Sequence, residues 1–270
     1  GNAGSSLAGI CASQGQKAIV FVPANAPAAK LTQILMYGAK LVPVDGTYDD
    51  AFDLSIEASR EFGWFNRNTA FNPLTIEGKK TVSFEIFEHF NGTIPDYIFV
   101  PVGDGVIISG IYKGFEDLLL LNLIDKIPTI VAVQSEGSNN IISNISKPDF
   151  TYKSSSTIAD SISVDIPRNF YMAKQYINDY KGKVVEVCDN EIMKASVLLS
   201  KETGLFAEPA AAAAMAGFLH LKSELKNNNL SSLVLLTGSG LKDLAAVSKH
   251  IIKPEPINCN LRAVKKLLEL

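Results

Sequence analysis

The sequence predicts an α/β fold of two units, each built on a parallel sheet, with a ligand cleft between them. Apolar runs of strand length alternate with longer stretches whose apolar residues recur at helical spacing. Helices that connect successive strands impose right-handed crossovers and therefore parallel pairing. Glycine-rich loops end several of the apolar runs, and ligands of such sheets gather at the carboxyl ends of the strands.

The first unit covers about 70 residues and alternates helices with short buried strands. Pro23 closes the first apolar run, and Pro27 lies in the first turn of the following helix, where proline is favoured. Thr47 is a candidate N-cap of the third helix. In order, the predicted elements are the helix SSLAGICASQG, the strand KAIVFVP, the helix APAAKLTQILMYGA, the strand KLVPVDG, the helix TYDDAFDLSIEASREFG and the strand WFNRN.

The second unit continues the alternation with longer elements. They are the helix TIEGKKTVSFEIFEHF, the strand DYIFVPVG, the helix VIISGIYKGFEDLLLLN, the strand TIVAVQSEG, the helix PRNFYMAKQYIND, the strand KVVEVCD, the helix DNEIMKASVLLSKETG, the helix EPAAAAAMAGFLHLKSEL and the strand SSLVLLTGSG. Segment 138–158 has the composition of a loop or a mobile connection, and NCNLRAVKKLLEL resembles a short amphipathic helix. We predict a small α/β domain at 1–70, a large α/β domain at 71–251 and a helical tail at 252–270.

Bulk properties argue against several classes of partner. The formal net charge of −3 disfavours nucleic acid and anionic membranes, since both need a concentrated positive face. No apolar run reaches the ~20 residues that a membrane span requires, and no segment has the pattern of a secretory signal. The three cysteines and three histidines have no metal-ligand spacing, so we expect free thiols in a reducing cytosol and no metal site.

One loop has the composition of a phosphate site. Gly103, Asp104 and Gly105 follow an apolar strand and precede a helix, so backbone N–H groups can converge beside a helix N-terminus. A tight strand-to-helix turn explains the tripeptide equally well. A dinucleotide fingerprint needs a third glycine where this chain has Ile108, which makes dinucleotide binding the weaker functional interpretation.

Two further loops repeat the theme of glycine with small polar residues. Thr237 and Gly238 end a predicted strand, although a threonine that caps the next helix is an equal alternative. Residues 1–5 form a third predicted loop before a helix, and Asn2 offers both a donor and an acceptor there. No catalytic triad, metal cluster or paired-carboxylate motif accompanies these loops. Three such loops therefore indicate that a phosphorylated cofactor carries the chemistry.

Several motifs occur in the order and at the spacing of one enzyme family. They are GNAGSSLA, VPVGDGVIISG, NPLTIEGKKT, AVQSEG, TIADSISVDIPRN, GLFAEPAAAA and LLTGSGLKD. Together they resemble the pyridoxal-phosphate enzymes of the tryptophan-synthase-like fold, called fold type II, and among these the threonine synthases. The resemblance extends from Gly1 to about Ala246.

The resemblance implies a role for each loop at a pyridoxal-phosphate cofactor. Asn2 would hydrogen-bond the phenolic oxygen of the ring, Thr237 would meet the pyridine nitrogen, and Glu208 would lie near the cofactor's edge. The backbone N–H groups that would cradle the phosphate belong to Gly103, Asp104, Gly105, Val106 and Ile107. The implied substrate-binding residues are Ser5, Asn72 and Lys79.

The chain departs from the family pattern at two places. The resemblance puts the Schiff-base lysine upstream of Gly1, so no catalytic residue is assigned here, and these 270 residues alone are not expected to turn over substrate. Many threonine synthases carry an arginine where this chain has Thr75, and that arginine would help to bind the substrate phosphate. Lys79 or Lys80 could compensate, and a solvated basic pair is the alternative.

The resemblance implies a lyase that converts O-phosphohomoserine and water to threonine and phosphate, in cytoplasmic amino-acid biosynthesis. The substrate is then a small phosphorylated amino acid, and the assembly to consider is a homodimer. Another fold type II enzyme, such as a threonine or serine dehydratase or a β-replacing synthase, is the nearest alternative. A non-catalytic module that binds a phosphate-bearing ligand is the alternative of another class, and a nucleotide-binding α/β protein is the weakest.

Overall fold

The computed structural model describes residues 1–269 and contains two parallel sheets. The smaller sheet pairs β1 (Ile19–Pro23) with β2 (Lys40–Val44). The strands of the larger sheet are β3 (Tyr97–Pro101), β4 (Thr129–Ser135), β5 (Lys183–Val187) and β6 (Ser232–Val234), in the spatial order β5-β4-β3-β6. Every neighbouring pair is parallel, which confirms the predicted class. The division into domains at 1–70, 71–251 and 252–270 stays a prediction.

Three helices accompany the smaller sheet, namely α1 (Asn2–Ser13), α2 (Ala28–Met36) and α3 (Tyr48–Phe62). Thr47 caps α3 as predicted, because its side chain accepts from the Asp50 N–H while the Asp50 carboxylate accepts from the Thr47 N–H. Gly63 ends α3 in the left-handed conformation, with φ 65°. The small core includes Ala8, Val20, Val22 and Ile34.

The predicted strand WFNRN is wrong, because no strand forms between α3 and residue 73. Two asparagine side chains take up backbone and side-chain partners there, as this residue type does in irregular segments. The Asn66 side chain accepts from the N–H of Asn68 at 2.7 Å, and the Asn68 amide donates to the Ser55 hydroxyl at 2.5 Å. The segment is therefore fastened to α3 rather than to a sheet.

The larger sheet is covered on both faces by helices. They are α4 (Leu74–Lys79), α5 (Thr81–His89), α6 (Val106–Leu120), α7 (Phe170–Asp179), α8 (Asp189–Thr203) and α9 (Pro209–Asn227). Strand side chains alternate between the two faces, so Ile98 and Val100 join one core cluster while Phe99 joins the other. Burial on both faces explains the unbroken apolar runs Ile98–Val100 of β3 and Ile130–Val133 of β4.

Two predicted boundaries differ from the structure. The predicted helix over TIEGKKTVSFEIFEHF is two helices, α4 and α5, which meet at Lys80. Gly114 of α6 permits this turn to pack closely, because a Cβ there would lie 2.7 Å from the Lys80 carbonyl oxygen. The predicted loop at residues 1–5 is wrong, since α1 begins at Asn2 and the Ser5 N–H donates to the Gly1 carbonyl at 3.1 Å.

The polar segment 138–158 is irregular, as predicted, apart from one short 3-10 turn. Buried amides hold it in place. Asn144 donates to the Thr151 carbonyl at 2.7 Å, and Asn140 donates to the Lys153 carbonyl at 2.9 Å. These bonds favour a fixed loop over the mobile connection that its composition also allowed.

After the larger sheet the chain forms α10 (Leu244–Ser248) and α11 (Leu261–Leu267). The predicted tail helix is confirmed as α11, which buries none of its residues. Within residues 1–269, no helix combines the length and the apolar character needed to cross a bilayer.

Candidate cofactor and substrate site

The loop Gly103–Gly105 joins the end of β3 directly to α6 and offers unpaired backbone donors. The N–H groups of residues 103–107 donate to no other residue that the structure describes. Gly105 has φ +82°, a conformation that glycine adopts without strain and other residues rarely do. Converging free N–H groups at a helix N-terminus form an anion site that needs no side-chain charge.

Hydrogen bonds to the loop's carbonyl groups fix its conformation. The Gly105 carbonyl accepts from the Ser109 hydroxyl at 2.8 Å and from the Asn169 amide at 3.1 Å. The Asp104 carbonyl accepts from the Asn169 N–H at 3.1 Å. Because the carbonyls already have partners, the N–H groups are the part of the loop left for a ligand.

The Asp104 side chain is bound to the protein. Its carboxylate accepts from the Tyr48 hydroxyl at 3.0 Å and from the Arg168 N–H at 3.3 Å. Burial raises the pKa of Asp104 to about 6, although both hydrogen bonds oppose the shift. Burial beside Asp104 also raises the pKa of Tyr48 well above its usual value. Asp104 can therefore offer a ligand its backbone N–H, while its carboxyl group contacts α3.

A polar cluster lies beside the loop. The Asn2 amide donates to a Glu208 oxygen at 2.8 Å and to the Ser161 hydroxyl at 3.2 Å. Ser161 also accepts from Lys30, whose ammonium group lies 2.7 Å from Asp160. The next residue, Ile162, packs on the loop Gly103–Gly105, because a Cβ on Gly103 would lie 3.0 Å from its Cα. The cluster and the anion site are thus adjacent.

Two oxygen atoms of this cluster are buried without partners among the described residues: Oδ1 of Asn2 and Oε2 of Glu208. Burial raises the pKa of Glu208, against the opposing effects of Lys30, Asn2 and Ser161. Buried acceptors without a donor are costly, and they are expected where a polar ligand completes the site.

Thr237 lies near the polar cluster of Asn2 and Glu208 and follows β6, the strand next to β3 in the sheet. Its side chain is exposed. The next residue, Gly238, accepts from the Glu208 N–H at 3.1 Å, and a Cβ at Gly238 would collide with the Glu208 carboxylate. Because β3 and β6 are parallel neighbours in the sheet, the Asp104 loop and Thr237 lie at the same edge, where the carboxyl ends of the strands meet.

Ser5 is buried in α1 and has polar partners on two sides. Its hydroxyl donates to the Asn2 carbonyl at 3.1 Å and accepts from the Lys242 ammonium group at 3.4 Å. The predicted substrate contact is thus next to a cation that the sequence did not single out.

A separate concavity of about 350 Å³ holds the other two predicted substrate residues, Asn72 and Lys79. The Asn72 side chain mainly holds the local turn, since it donates to the Asn66 carbonyl at 2.9 Å and accepts from the Leu74 N–H at 3.0 Å. Lys80 faces away and pairs with Glu77 and Asp117. The structure therefore brings Lys79, and not Lys80, to the wall of this concavity.

The sequence interpretation missed four residues that the structure brings to these sites, namely Lys242 beside Ser5, Lys30, Ser161 and Arg67. Lys30 gave no signal in the sequence, and only the structure shows that this lysine of α2 is 1% exposed. Ser161 lies within a quoted motif, where nothing distinguished it from Ser163. Arg67 gave no signal, because its segment was interpreted as a strand.

Asn2, Thr237 and the loop at Asp104 fit pyridoxal phosphate as a group. A cradle of free N–H groups suits its phosphate, while a donor amide and an exposed hydroxyl suit the polar atoms of its ring. No three His, Cys, Asp or Glu side chains in the described part of the chain converge as metal ligands.

Comparison with known proteins agrees with this fit. A family model described as pyridoxal-phosphate dependent enzyme matches residues 1–238. Threonine synthase from Methanocaldococcus jannaschii is 35% identical across 100% of this chain, which spans 67% of that relative. Threonine synthase from Mycobacterium bovis is 32% identical, again over 100% of this chain and 74% of that relative.

Solved structures show the same fold at lower identity. Maize serine racemase superposes with a TM-score of 0.76 at 23% identity, covering 93% of this chain and 74% of that one. The processed form of threonine deaminase isoform 2 from Solanum lycopersicum superposes with a TM-score of 0.77 at 21% identity, covering 92% of this chain and 70% of that one. The chain therefore belongs to the pyridoxal-phosphate dependent enzymes of fold type II, within the group that contains the threonine synthases.

Proposed function

We propose that the protein is a threonine synthase-like lyase that converts O-phospho-L-homoserine and water to L-threonine and phosphate. The free N–H cradle at residues 103–107, in a chain whose relatives are threonine synthases over its whole length, is the observation that carries this proposal. When bound, pyridoxal phosphate supplies an electron sink that stabilises negative charge on the carbon atoms of the amino-acid substrate.

The cofactor roles divide between the loops. The N–H groups of Gly103, Asp104, Gly105, Val106 and Ile107 hold the phosphate. Asn2 donates to the phenolic oxygen of the ring and, when it does so, gives up its present partners Ser161 or Glu208. Thr237 presents a hydroxyl to the pyridine nitrogen. The Thr237 hydroxyl would not stabilise a positive charge there as a carboxylate would, so it would leave the nitrogen largely unprotonated and moderate the electron sink.

Two other sets of polar residues bind the substrate, one at α1 and one at the separate concavity. Ser5 and the neighbouring N–H groups of α1 receive the substrate carboxylate, and the ammonium group of Lys242 next to Ser5 adds favourable charge. Asn72 and Lys79 contact the substrate at the separate concavity, where Asn72 keeps the turn in shape. The reaction belongs to cytoplasmic threonine biosynthesis, and the assembly that we propose is a homodimer.

The nearest rival is a dehydratase of the same fold, and product analysis separates the two. The full-length protein with pyridoxal phosphate is given O-phosphohomoserine, threonine or serine in separate reactions. We expect threonine and inorganic phosphate in equal amounts from O-phosphohomoserine, and little keto acid from the other two. Rapid keto-acid formation from threonine or serine, with no threonine from O-phosphohomoserine, would replace this proposal with the dehydratase. No reaction with any of them would favour the non-catalytic module.

A further inference from the structure

A buried lysine occupies a core-facing position of α2. Lys30 and Ile34 are the two buried residues of this helix, and their spacing of four places them on one face. Ile34 belongs to the small apolar core, whereas Lys30 ends in a charge. Lysines are almost never fully buried unless they are paired, because taking an ammonium group out of water is costly. The packing of α2 alone therefore does not explain a lysine at this position.

The partners of Lys30 belong to a distant segment of the chain. Its ammonium group lies 2.7 Å from the Asp160 carboxylate, 130 residues away, and donates to the Ser161 hydroxyl at 3.0 Å. The Asp160 side chain is 49% exposed, so water can solvate this carboxylate without a cation. Neutralising Asp160 is thus not enough to account for Lys30, and the bond to Ser161 is the contact that leads to the cofactor site.

Lys30 sets the direction of the hydrogen bonds around Asn2. An ammonium group can only donate, so the Ser161 oxygen must accept from it. The same oxygen accepts from the Asn2 amide at 3.2 Å, which leaves the Ser161 hydrogen for the Glu208 carboxylate. Asn2 donates to Glu208 as well, at 2.8 Å. Both partners of the Asn2 side chain are therefore acceptors, and the NH2 end of its amide faces them.

The charge of Lys30 also keeps Glu208 an acceptor. Burial raises the pKa of the Glu208 carboxyl, and the positive charge of Lys30 is the largest effect that opposes this shift. An ionised carboxylate only accepts hydrogen bonds, whereas a protonated carboxyl would bring a donor to the same place. Lys30 thus acts on both groups that hold the Asn2 amide, on Ser161 by a hydrogen bond and on Glu208 by its charge.

We propose that Lys30 is a positioning residue that keeps the NH2 end of the Asn2 amide directed toward the phenolic oxygen of the cofactor ring. This inference rests on the role proposed for Asn2 and does not depend on which amino acid is the substrate. Without Lys30, the Ser161 hydroxyl can donate to Asn2 instead of accepting from it. The amide can then rotate and present its oxygen, which would repel the phenolic oxygen.

The test measures pyridoxal-phosphate affinity, the absorption spectrum of the bound cofactor and the Tm of the apoprotein, all in the full-length protein. Lys30→Met replaces the ammonium group with an apolar side chain of similar length. Ser161→Ala removes the hydroxyl and leaves Lys30 beside Asp160. In both variants we expect the affinity to fall on the order of tenfold and the spectrum to change. The Tm should stay close to that of wild type, because methionine suits a core position and Asp160 stays hydrated.

Lys80→Met and Ser163→Ala are the matched controls. Lys80 is also a paired lysine, but its partners Glu77 and Asp117 lie outside the cluster. Ser163 follows Ser161 by two residues and is a hydrogen-bond partner of neither Lys30 nor Asn2 in the described part of the chain. Both controls should leave the affinity within about twofold of wild type.

A double-mutant cycle with Asn2→Ala decides whether Lys30 acts through Asn2. If it does, Lys30→Met should change the affinity by less than about twofold once residue 2 is already alanine, because the group that it positions is gone. Equal losses in the two backgrounds would overturn the proposal, since Lys30 would then act by another route. Should Lys30→Met fail to fold, Ser161→Ala in the same cycle gives the same decision.

The outcomes separate this inference from the proposals beside it. An effect of Asn2→Ala on affinity and spectrum, with no effect of Lys30→Met or Ser161→Ala, overturns the role of Lys30 alone. If Asn2→Ala has no effect, the role of Asn2 is refuted and that of Lys30 with it. A wild-type protein that makes no threonine from O-phosphohomoserine refutes the proposed reaction, and the cofactor measurements still decide for or against Lys30.

Discussion

At the scale of single residues, Asp104 is the clearest example of a sequence feature whose meaning depends on its surroundings. The tripeptide Gly-Asp-Gly suggests an anion site, and an aspartate there would repel a phosphate. The structure removes this conflict by turning the carboxyl group toward Tyr48 and the Arg168 N–H. The same burial raises the pKa of Asp104 to about 6. The residue therefore ionises within an accessible pH range.

Asp104→Asn should change the pH dependence of stability. The pKa of Asp104 is raised on folding, so the folded state binds more protons than the unfolded state between about pH 4 and 6, and stability falls as pH rises through that window. Asparagine does not ionise, so it avoids the cost of placing a charge in this buried position. We compare the free energy of unfolding of the variant with that of wild type at each pH. We expect this difference to favour the variant by about 1–2 kcal/mol more at pH 7.5 than at pH 4. Urea unfolding of the apoprotein at the two pH values measures this, and a pH-independent difference would contradict it.

Thr237→Asp should change the cofactor's spectrum without changing the fold. Thr237 is exposed at the end of β6, so an aspartate fits there without burying a charge. A carboxylate beside the pyridine nitrogen would favour its protonated form, shifting the absorption of bound pyridoxal phosphate and increasing side products. Absorption spectra and product ratios of the full-length protein measure both. Values equal to wild type would mean that Thr237 does not touch the ring.

At the scale of elements, the connection from β3 to α6 carries the N–H groups that we propose hold the cofactor's phosphate. Its shape depends on a left-handed residue at Gly105 and on hydrogen bonds to the carbonyls of the loop. A Cβ at Gly105 would lie 2.9 Å from that of Ala173 and 3.1 Å from Ile141. Steric conflict is therefore with the protein's own core, and any side chain there must displace the loop.

Gly105→Val should weaken cofactor binding for this reason. A β-branched residue is strained at φ +82°, and moving the loop would misalign its N–H groups. We expect the affinity of the full-length protein for pyridoxal phosphate to fall on the order of tenfold or more, which corresponds to about 1.4 kcal/mol. Fluorescence titration measures it. Gly15→Val is a matched control, because Gly15 also has φ +64° but lies in the turn after α1, and unchanged affinity in Gly105→Val would refute the assignment of the loop.

At the scale of the whole molecule, one arginine joins the two sheets through their helices. Arg168 precedes α7, yet its guanidinium contacts Asp49 at 2.9 Å and Asp53 at 3.2 Å and lies 4.9 Å above the ring of Phe52, all on α3. Its backbone N–H donates to the Asp104 side chain in the loop Gly103–Gly105. Contact between the two units is therefore coupled to the position of the loop.

Arg168→Met should destabilise the protein and weaken cofactor binding together. Asp49 would lose its cation while remaining partly buried, and this burial already raises its pKa against the opposing effect of Arg168. We expect a loss of about 2 kcal/mol in the free energy of unfolding, with weaker pyridoxal-phosphate binding. Arg262→Met on the exposed helix α11 is the control. Equal changes in the free energy of unfolding and in pyridoxal-phosphate affinity in the two variants would show that Arg168 does not hold the two sheets together through their helices.

Sequence reasoning predicted the features that depend on local pattern and failed where distant contacts decide. Apolar runs gave the parallel strands, and the chemistry of glycine and threonine gave the loop at Asp104 and the cap at Thr47. The segment at Arg67 was misjudged because side-chain hydrogen bonds of Asn66 and Asn68 to α3 replace strand pairing. Lys30 could not be placed from the sequence, because its partner Asp160 lies 130 residues away.

The most direct test of this account is a crystal structure of the full-length protein with pyridoxal phosphate. We predict cofactor phosphate oxygens about 2.7–3.2 Å from the backbone nitrogens of residues 103–107. Asn2 should lie at the phenolic oxygen, and Thr237 at the pyridine nitrogen. A cofactor phosphate bound elsewhere, with the N–H groups of this loop still without a ligand, would contradict the account.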